Sequence, residues 1–262
     1  MGHVFDLKDA NSYEDWLAKG SSRAVLETET ALMLSMLRPV PGESLLDIGC
    51  GTGASLSPFL GRGISLTGIE PSPNMLDYAK QRLGSRVDLH RGYAEDLPFD
   101  DNSFNCSIFF LSLEFVDDPA KAIEEACRVT KDRIFIGIIN KYSMYGAVRR
   151  IRAMFGPTLF RHARFFSIFG IQRILFNLLG EVPFSWKTAL HTAGLSGGLL
   201  NDPGRFALLE KNPFGAFAAM VAVPIPHYRT IALPLLVDKV RKAPTGEQVA
   251  SCSGDFRRVG KQ

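Results

Sequence analysis

The sequence is short of the features that mark several protein classes. Its four cysteines, Cys50, Cys106, Cys127 and Cys252, are scattered, with no C-x-x-C pair. That speaks against a zinc ribbon or a disulfide frame and for reduced thiols in a cytoplasmic setting. No apolar run reaches the ~18–20 residues that a bilayer span requires. The N-terminus, Met1 to Asp6, has no apolar stretch of the signal-peptide kind. Gly2 does not make a myristoylation site, because position six is Asp. No internal repeats occur. Net charge is slight, at +3 with a pI of about 8.7. Its distribution is uneven, for the segment from Arg133 to Gly180 has no Asp or Glu at all.

What is present reads as one large α/β domain. A chain of 262 residues, 46% hydrophobic and 22% charged, can bury a full core. Its organising stretch is Ser44-Leu45-Leu46-Asp47-Ile48-Gly49-Cys50-Gly51-Thr52-Gly53. The apolar start predicts a buried parallel strand. Three alternate glycines then predict a turn, and Ala54 to Leu60 predict a helix, the first half of a βαβ unit. Glycine lacks a Cβ, so a bulky ligand can lie directly on that backbone. Asp47 places an acceptor before the first glycine. By letters alone, Gly49, Gly51 and Ala54 also satisfy the dinucleotide pattern G-x-G-x-x-G/A, and such turns also occur without ligands.

The remaining elements follow in alternation. Glu27 to Leu37 has apolar residues at helical spacing and stops before Arg38-Pro39. Ile64 to Ile69 predicts a second strand, with Glu70 at its C-terminal end. That position suits an acid whose two oxygens accept from paired ribose hydroxyls. Ser72 caps the next helix, Pro73 opens it and Gly84 ends it. Strands are predicted over Val87–His90, Ser103–Phe110 and Arg133–Ile139. Asp117 and Asp118 precede Pro119 and read as helix caps rather than as catalytic acids. Val182–Leu190 and Ala216–Val223 complete a seven-stranded sheet with one antiparallel strand. Asn212-Pro213-Phe214, despite a likeness to the N-P-P-F of adenine-N6 DNA methylases, reads as a turn.

Four ordered segments resemble the class I S-adenosylmethionine (AdoMet) methyltransferases, most closely the small-molecule type of ubiquinone and menaquinone biosynthesis. Asp47, Gly49, Gly51 and Gly53 are similar to the family's first motif, an acid followed by G-x-G-x-G. Glu70-Pro71-Ser72-x-x-Met75-Leu76 resembles the second. Gly92-Tyr93-Ala94-Glu95-Asp96-Leu97-Pro98-Phe99 resembles G-D-A-E-x-L-P-F, with Tyr93 in place of Asp. Ser103-Phe104-Asn105 resembles S-F-D, and the family's P-G-G turn is replaced by Thr130-Lys131-Asp132. The fragment Phe5-Asp6 with Tyr13 and Trp16 resembles an N-terminal lid.

The resemblance implies a Rossmann-like, doubly wound seven-stranded fold with a helical cap inserted after the fifth strand. It implies lid helices over 1–40 and a methyltransferase domain over 41–240 with the cap at 141–180, while the polar composition of 241–262, with Gly and Ser, reads as a mobile tail. It implies AdoMet as cofactor, held by Asp47, Gly49, Cys50, Gly51, Gly53, Glu70, Pro71, Met75, Ala94, Glu95 and Leu111. Methyl transfer depends mainly on positioning the acceptor in line. A base is needed only for an acceptor that must lose a proton early, with Glu114, Tyr13 and His191 the candidates in falling order. The expected acceptor is a small acidic or apolar-aromatic molecule, reached by the arginines and phenylalanines of 133–180. The same composition suits RNA or an anionic membrane surface. Three alternatives are an RNA methyltransferase that uses this segment, a non-catalytic AdoMet-binding regulator and a nicotinamide oxidoreductase.

Overall fold

The computed structural model describes residues 3–143, 147, 162–189 and 212–224. Among them, seven strands form one sheet: β1 (Ser44–Ile48), β2 (Ser65–Glu70), β3 (Asp88–Arg91), β4 (Phe104–Phe110), β5 (Thr130–Ile139), β6 (Phe184–Ala189) and β7 (Phe217–Ala222). The order is β3-β2-β1-β4-β5-β7-β6. Strands β3, β2, β1, β4 and β5 pair in parallel, and β7 runs antiparallel between β5 and β6. The strand order reverses beside β1, where β2 leaves to one side and β4 to the other. Such a switch point opens a crevice beyond the carboxyl ends of the strands.

Among the described residues, the sheet is accompanied by the helices α1 (Leu7–Leu17), α2 (Gly20–Leu37), α3 (Pro73–Leu83), α4 (Pro119–Val129) and α5 (Ile168–Leu179). Adjacent residues of a strand point to opposite faces, and the core divides accordingly. Leu46, Ile48 and Phe109 pack with α4 and α5 on one side. Leu45, Cys106, Ile108 and Phe135 pack with α2 and α3 on the other. The caps follow the local chemistry. Ser72 accepts from the Met75 amide at 3.2 Å, and Gly84 closes the same helix. Asp118 accepts from Ala120 and Lys121, with Pro119 opening α4.

Two local expectations fail. Ala54 to Leu60 is not an α-helix but a run of turns around one short 3-10 helix, Ser57–Phe59. Pro58 sits inside it, and Ser55 and Ser57 send their hydroxyls to Asp47 and to the Gly53 carbonyl. Short polar side chains bonded in this way compete with a helical ladder. The fifth strand, expected from Arg133, instead begins at Thr130, because α4 passes directly into β5. Thr130 is fully buried and donates its hydroxyl to Ser107 at 2.8 Å, while Asp132 accepts from Asn105 at 2.9 Å. These side chains hold the start of β5 against β4. Of the basic segment 133–180, residues 144–146 and 148–161 lie outside the described residues, as do His191 and the tail.

Candidate functional site

The switch point holds a cavity of about 1320 Å³, its open mouth included. Its floor is the glycine turn. The Gly49 and Cys50 amides donate to the Ile69 carbonyl at 2.8 and 3.1 Å, which pulls the turn onto the end of β2. Gly49 has φ +76°, and a Cβ there would lie 2.5 Å from the Cβ of Ser112. Gly51 has φ +53°, and a Cβ there would meet nothing within 4 Å. Gly49 therefore serves the approach of β1 to the loop after β4, whereas Gly51 leaves open space on the cavity floor. Gly53 does not line the cavity; a Cβ there would strike Leu83 of α3.

The acids of this region divide into roles that spacing alone does not separate. Glu70 lines the cavity, buried, and accepts from the Gly51 amide at 3.1 Å and the Ser72 amide at 3.0 Å. Burial raises its carboxyl to about 7, against the lowering effect of those two amides. Each carboxylate oxygen carries two acceptor sites, so both oxygens retain capacity for a ligand. Asp47 lies behind the wall. Ser55, itself a lining residue, donates to its Oδ2, and Oδ1 has no hydrogen-bond partner. Burial raises its carboxyl to about 7 despite the Ser55 bond, and the nearby Glu70 adds to the rise. Glu95 lines the cavity, but its Oε1 accepts from the Asp117 and Asp118 amides at 2.8 and 3.3 Å. It thus ties its own loop to the loop after β4.

Glu114 sits in the core beside the end of β5. It does not line the cavity; its Oε1 accepts from the Ile139 amide at 2.8 Å inside the core. Burial raises its carboxyl to about 8. Tyr13 does line the cavity, stacked on Trp16 at 5.8 Å between ring centroids. Its phenol is pushed well above its ordinary range, first by burial and then by the charge of Glu29. It therefore remains protonated. Glu29, on α2, is a lining residue that the sequence did not single out, with 3% of its surface exposed. It sits within a run, Glu27-Thr28-Glu29-Thr30, that reads as a polar helix face. Only the packing of α2 turns this one acid inward.

Pro71, Met75, Ala94, Cys50 and Leu111 complete the wall near Glu70. Leu111 has φ +55°, a conformation that costs a branched residue energy. Its amide donates to the Gly137 carbonyl at 2.9 Å, which holds the chain in that turn. The N-terminal segment closes the other side through Phe5, Tyr13 and Trp16. It is latched at two points. Ser72 donates to the Phe5 carbonyl at 2.6 Å, and Arg82 bridges Glu14 of α1 to Thr52 of the glycine turn. None of the described residues of the basic segment lines the cavity.

The arrangement meets the requirements of a nucleoside-type cofactor. It provides a glycine floor with open space at Gly51, a carboxylate at the end of β2, and an apolar slot beside Met75 and Ala94.

Comparison with known proteins gives the same picture. Residues 46–135 match a family model described as a methyltransferase domain. A demethylmenaquinone methyltransferase of Renibacterium salmoninarum is 37% identical over 100 residues, covering 38% of this chain and 42% of that protein. The chain spans from about a third to about two thirds of the length of the curated relatives it matches. Among solved structures, a SAM-dependent methyltransferase from Thermotoga maritima aligns with a TM-score of 0.64 at 24% identity, over 84% of this chain and 99% of that one. A magnesium protoporphyrin IX methyltransferase from Synechocystis, with bound SAH, aligns at 0.54 and 16% identity, over 86% and 90%. At these identities the structures establish the fold.

Proposed function

We propose, for a chain whose residues 46–135 match the methyltransferase-domain family model and whose sheet has the class I fold, that it transfers the methyl group of AdoMet to a small apolar or aromatic molecule. The observation that carries this reading is the cavity at the switch point, with Gly51 open on its floor and Glu70 at the end of β2. Glu70 would hold the ribose hydroxyls, and Met75 with Ala94 the adenine. When bound, AdoMet supplies a methyl group already activated by its sulfonium. The chain's own residues orient the acceptor and exclude water. Positioning of that kind can supply on the order of 7–11 kcal/mol.

The acceptor class follows from the aromatic lining of the cavity. Phe5, Tyr13, Trp16, Leu26, Phe110 and Phe115 face the cavity. The described lining residues include three glutamates, Glu29, Glu70 and Glu95, and neither Lys nor Arg. That supports the apolar-aromatic half of the expectation over the acidic half. Tyr13 would donate to an oxygen or nitrogen of the acceptor. A quinone-type ring, as the name of the Renibacterium relative indicates for that protein, suits such a wall.

The test has two parts. Calorimetry should show AdoMet binding, weakened about ten- to a hundred-fold in Glu70→Ala, the loss expected for hydrogen bonds to a charged group. Mass spectrometry of metabolite extract incubated with methyl-labelled AdoMet should then identify the acceptor. Tighter binding of NAD than of AdoMet would overturn the reading. Binding without turnover of any acceptor would leave a regulator instead.

A further inference from the structure

We propose that the rim beside the cavity, built where β5 ends and β7 begins, is a docking surface for an anionic lipid membrane. It is organised by Asn140. That side chain is buried and donates to the Pro213 and Gly215 carbonyls at 2.6 and 2.9 Å. It accepts from the Tyr142 amide at 3.2 Å, and residue 140 bridges to Phe166 just before α5. Three separate pieces of chain are therefore pinned together at the carboxyl edge of the sheet, the edge on which the cavity opens.

Each piece presents an aromatic side chain to solvent. Tyr142 is 56% exposed, Phe214 62% and Phe169, in the first turn of α5, 61%. Phe176, two turns further along α5, is 55% exposed. Among the described residues, these three phenylalanines are the exposed ones; the rest are buried or half-buried. A core has no use for them there, and α5 already buries its other face through Ile168, Ile171 and Leu175. Exposed apolar groups gathered at one edge mark an interaction site rather than chance.

Charge selects the partner. Lys141 lies over the Tyr142 ring at 5.8 Å, and Arg173 stands on α5 between Phe169 and Phe176. From Arg133 to Gly180 the sequence offers no acid that would repel an anionic surface. Aromatic rings with a lysine or arginine beside them are the composition of the membrane–water interface. Phosphate headgroups would meet the cations, and the rings would enter the headgroup boundary. An RNA surface would favour stacked rings along a basic groove. Here the rings instead come from three chain segments around a buried asparagine. The inference does not depend on the acceptor, but it places the cavity mouth beside a source of apolar molecules.

The experiment is co-sedimentation of the full chain with vesicles of mixed phosphatidylglycerol and phosphatidylcholine, and with pure phosphatidylcholine. The expected result is several-fold stronger partition onto the anionic vesicles. Phe169→Ser with Phe214→Ser should lower partition by about ten-fold or more, with the melting temperature unchanged because both rings are exposed. Lys141→Glu should weaken binding to the anionic vesicles alone. AdoMet affinity should be the same in every variant, which separates this proposal from the catalytic one. Equal sedimentation with no vesicles present, or equal partition of the double variant, would overturn it. So would a stable dimer that the double variant dissociates, or salt-dependent RNA binding with no partition onto vesicles.

Discussion

At the scale of single residues, the most informative group is Glu70. Its carboxyl lies at about 7 because burial outweighs two amide donors. A ligand that donates two hydroxyl protons to it requires the ionised form. The sign follows directly. Below pH 7 binding must release a proton, so AdoMet affinity should rise with pH by up to about ten-fold per unit and level off above 7. Glu70→Gln should bind more weakly and lose that slope. Calorimetry across pH 5.5 to 8.5 checks both, and an unchanged slope in the variant would assign it to another group, Asp47 first. Acidic sequence positions are easily found, but their use is not. Asp47 and Glu114 face the interior, whereas Glu29 reaches the cavity from a helix that sequence periodicity treats as polar.

At the scale of elements, the N-terminal helix matters most. Helix α1 has an Asp6 cap with a reciprocal bond to Asp9, so its start is encoded locally. Its position over the cavity is not. That depends on Arg82 of α3, whose guanidinium reaches Glu14 of α1 and the Thr52 carbonyl and hydroxyl of the glycine turn. Both charged partners are mostly buried. Hydrogen bonds to charged groups contribute about 1.5–3 kcal/mol. Arg82→Ala should therefore loosen α1 by roughly that amount while the sheet stays folded. Hydrogen exchange should quicken across residues 7–17 and AdoMet affinity should fall several-fold. Unchanged exchange in α1 would show that its aromatic packing alone holds it.

At the scale of the whole molecule, three buried carboxyls set the pH dependence of stability. Asp47 and Glu70 lie at about 7 and Glu114 at about 8, each raised mainly by burial. Between about pH 4.5 and 8 the folded chain keeps protons that the unfolded chain has released. Stability of the ligand-free protein should therefore fall as pH rises through that window. Glu125 shifts the opposite way, held low by Arg128, but it acts below the window. Urea unfolding at pH 5.5 and 8.5 should show the lower midpoint at 8.5. Glu114→Gln should narrow the gap, since a neutral amide can still accept from Ile139. A higher midpoint at pH 8.5 would show that these carboxyls are solvated in solution.

Strand periodicity, the glycine turn and the caps were legible because they depend on neighbours in sequence. Leu45 and Leu46 must point to opposite faces, Ser72 must bond an amide three residues on, and an acid at the end of β2 must reach the crevice. Those requirements determined the seven strands, the switch point and the region of the cavity. The tertiary structure decided what depends on distant partners. Ser55 and Pro58 replaced a helix with turns because Asp47 lay within reach of a hydroxyl. Glu114 turned inward because the Ile139 amide needed an acceptor, and Glu29 turned toward the cavity because α2 packs with that face down. The exposed aromatics met at one edge because Asn140 bonds chain segments more than seventy residues apart. Local chemistry sets the elements; only packing selects which face of each reaches a ligand, a partner or water.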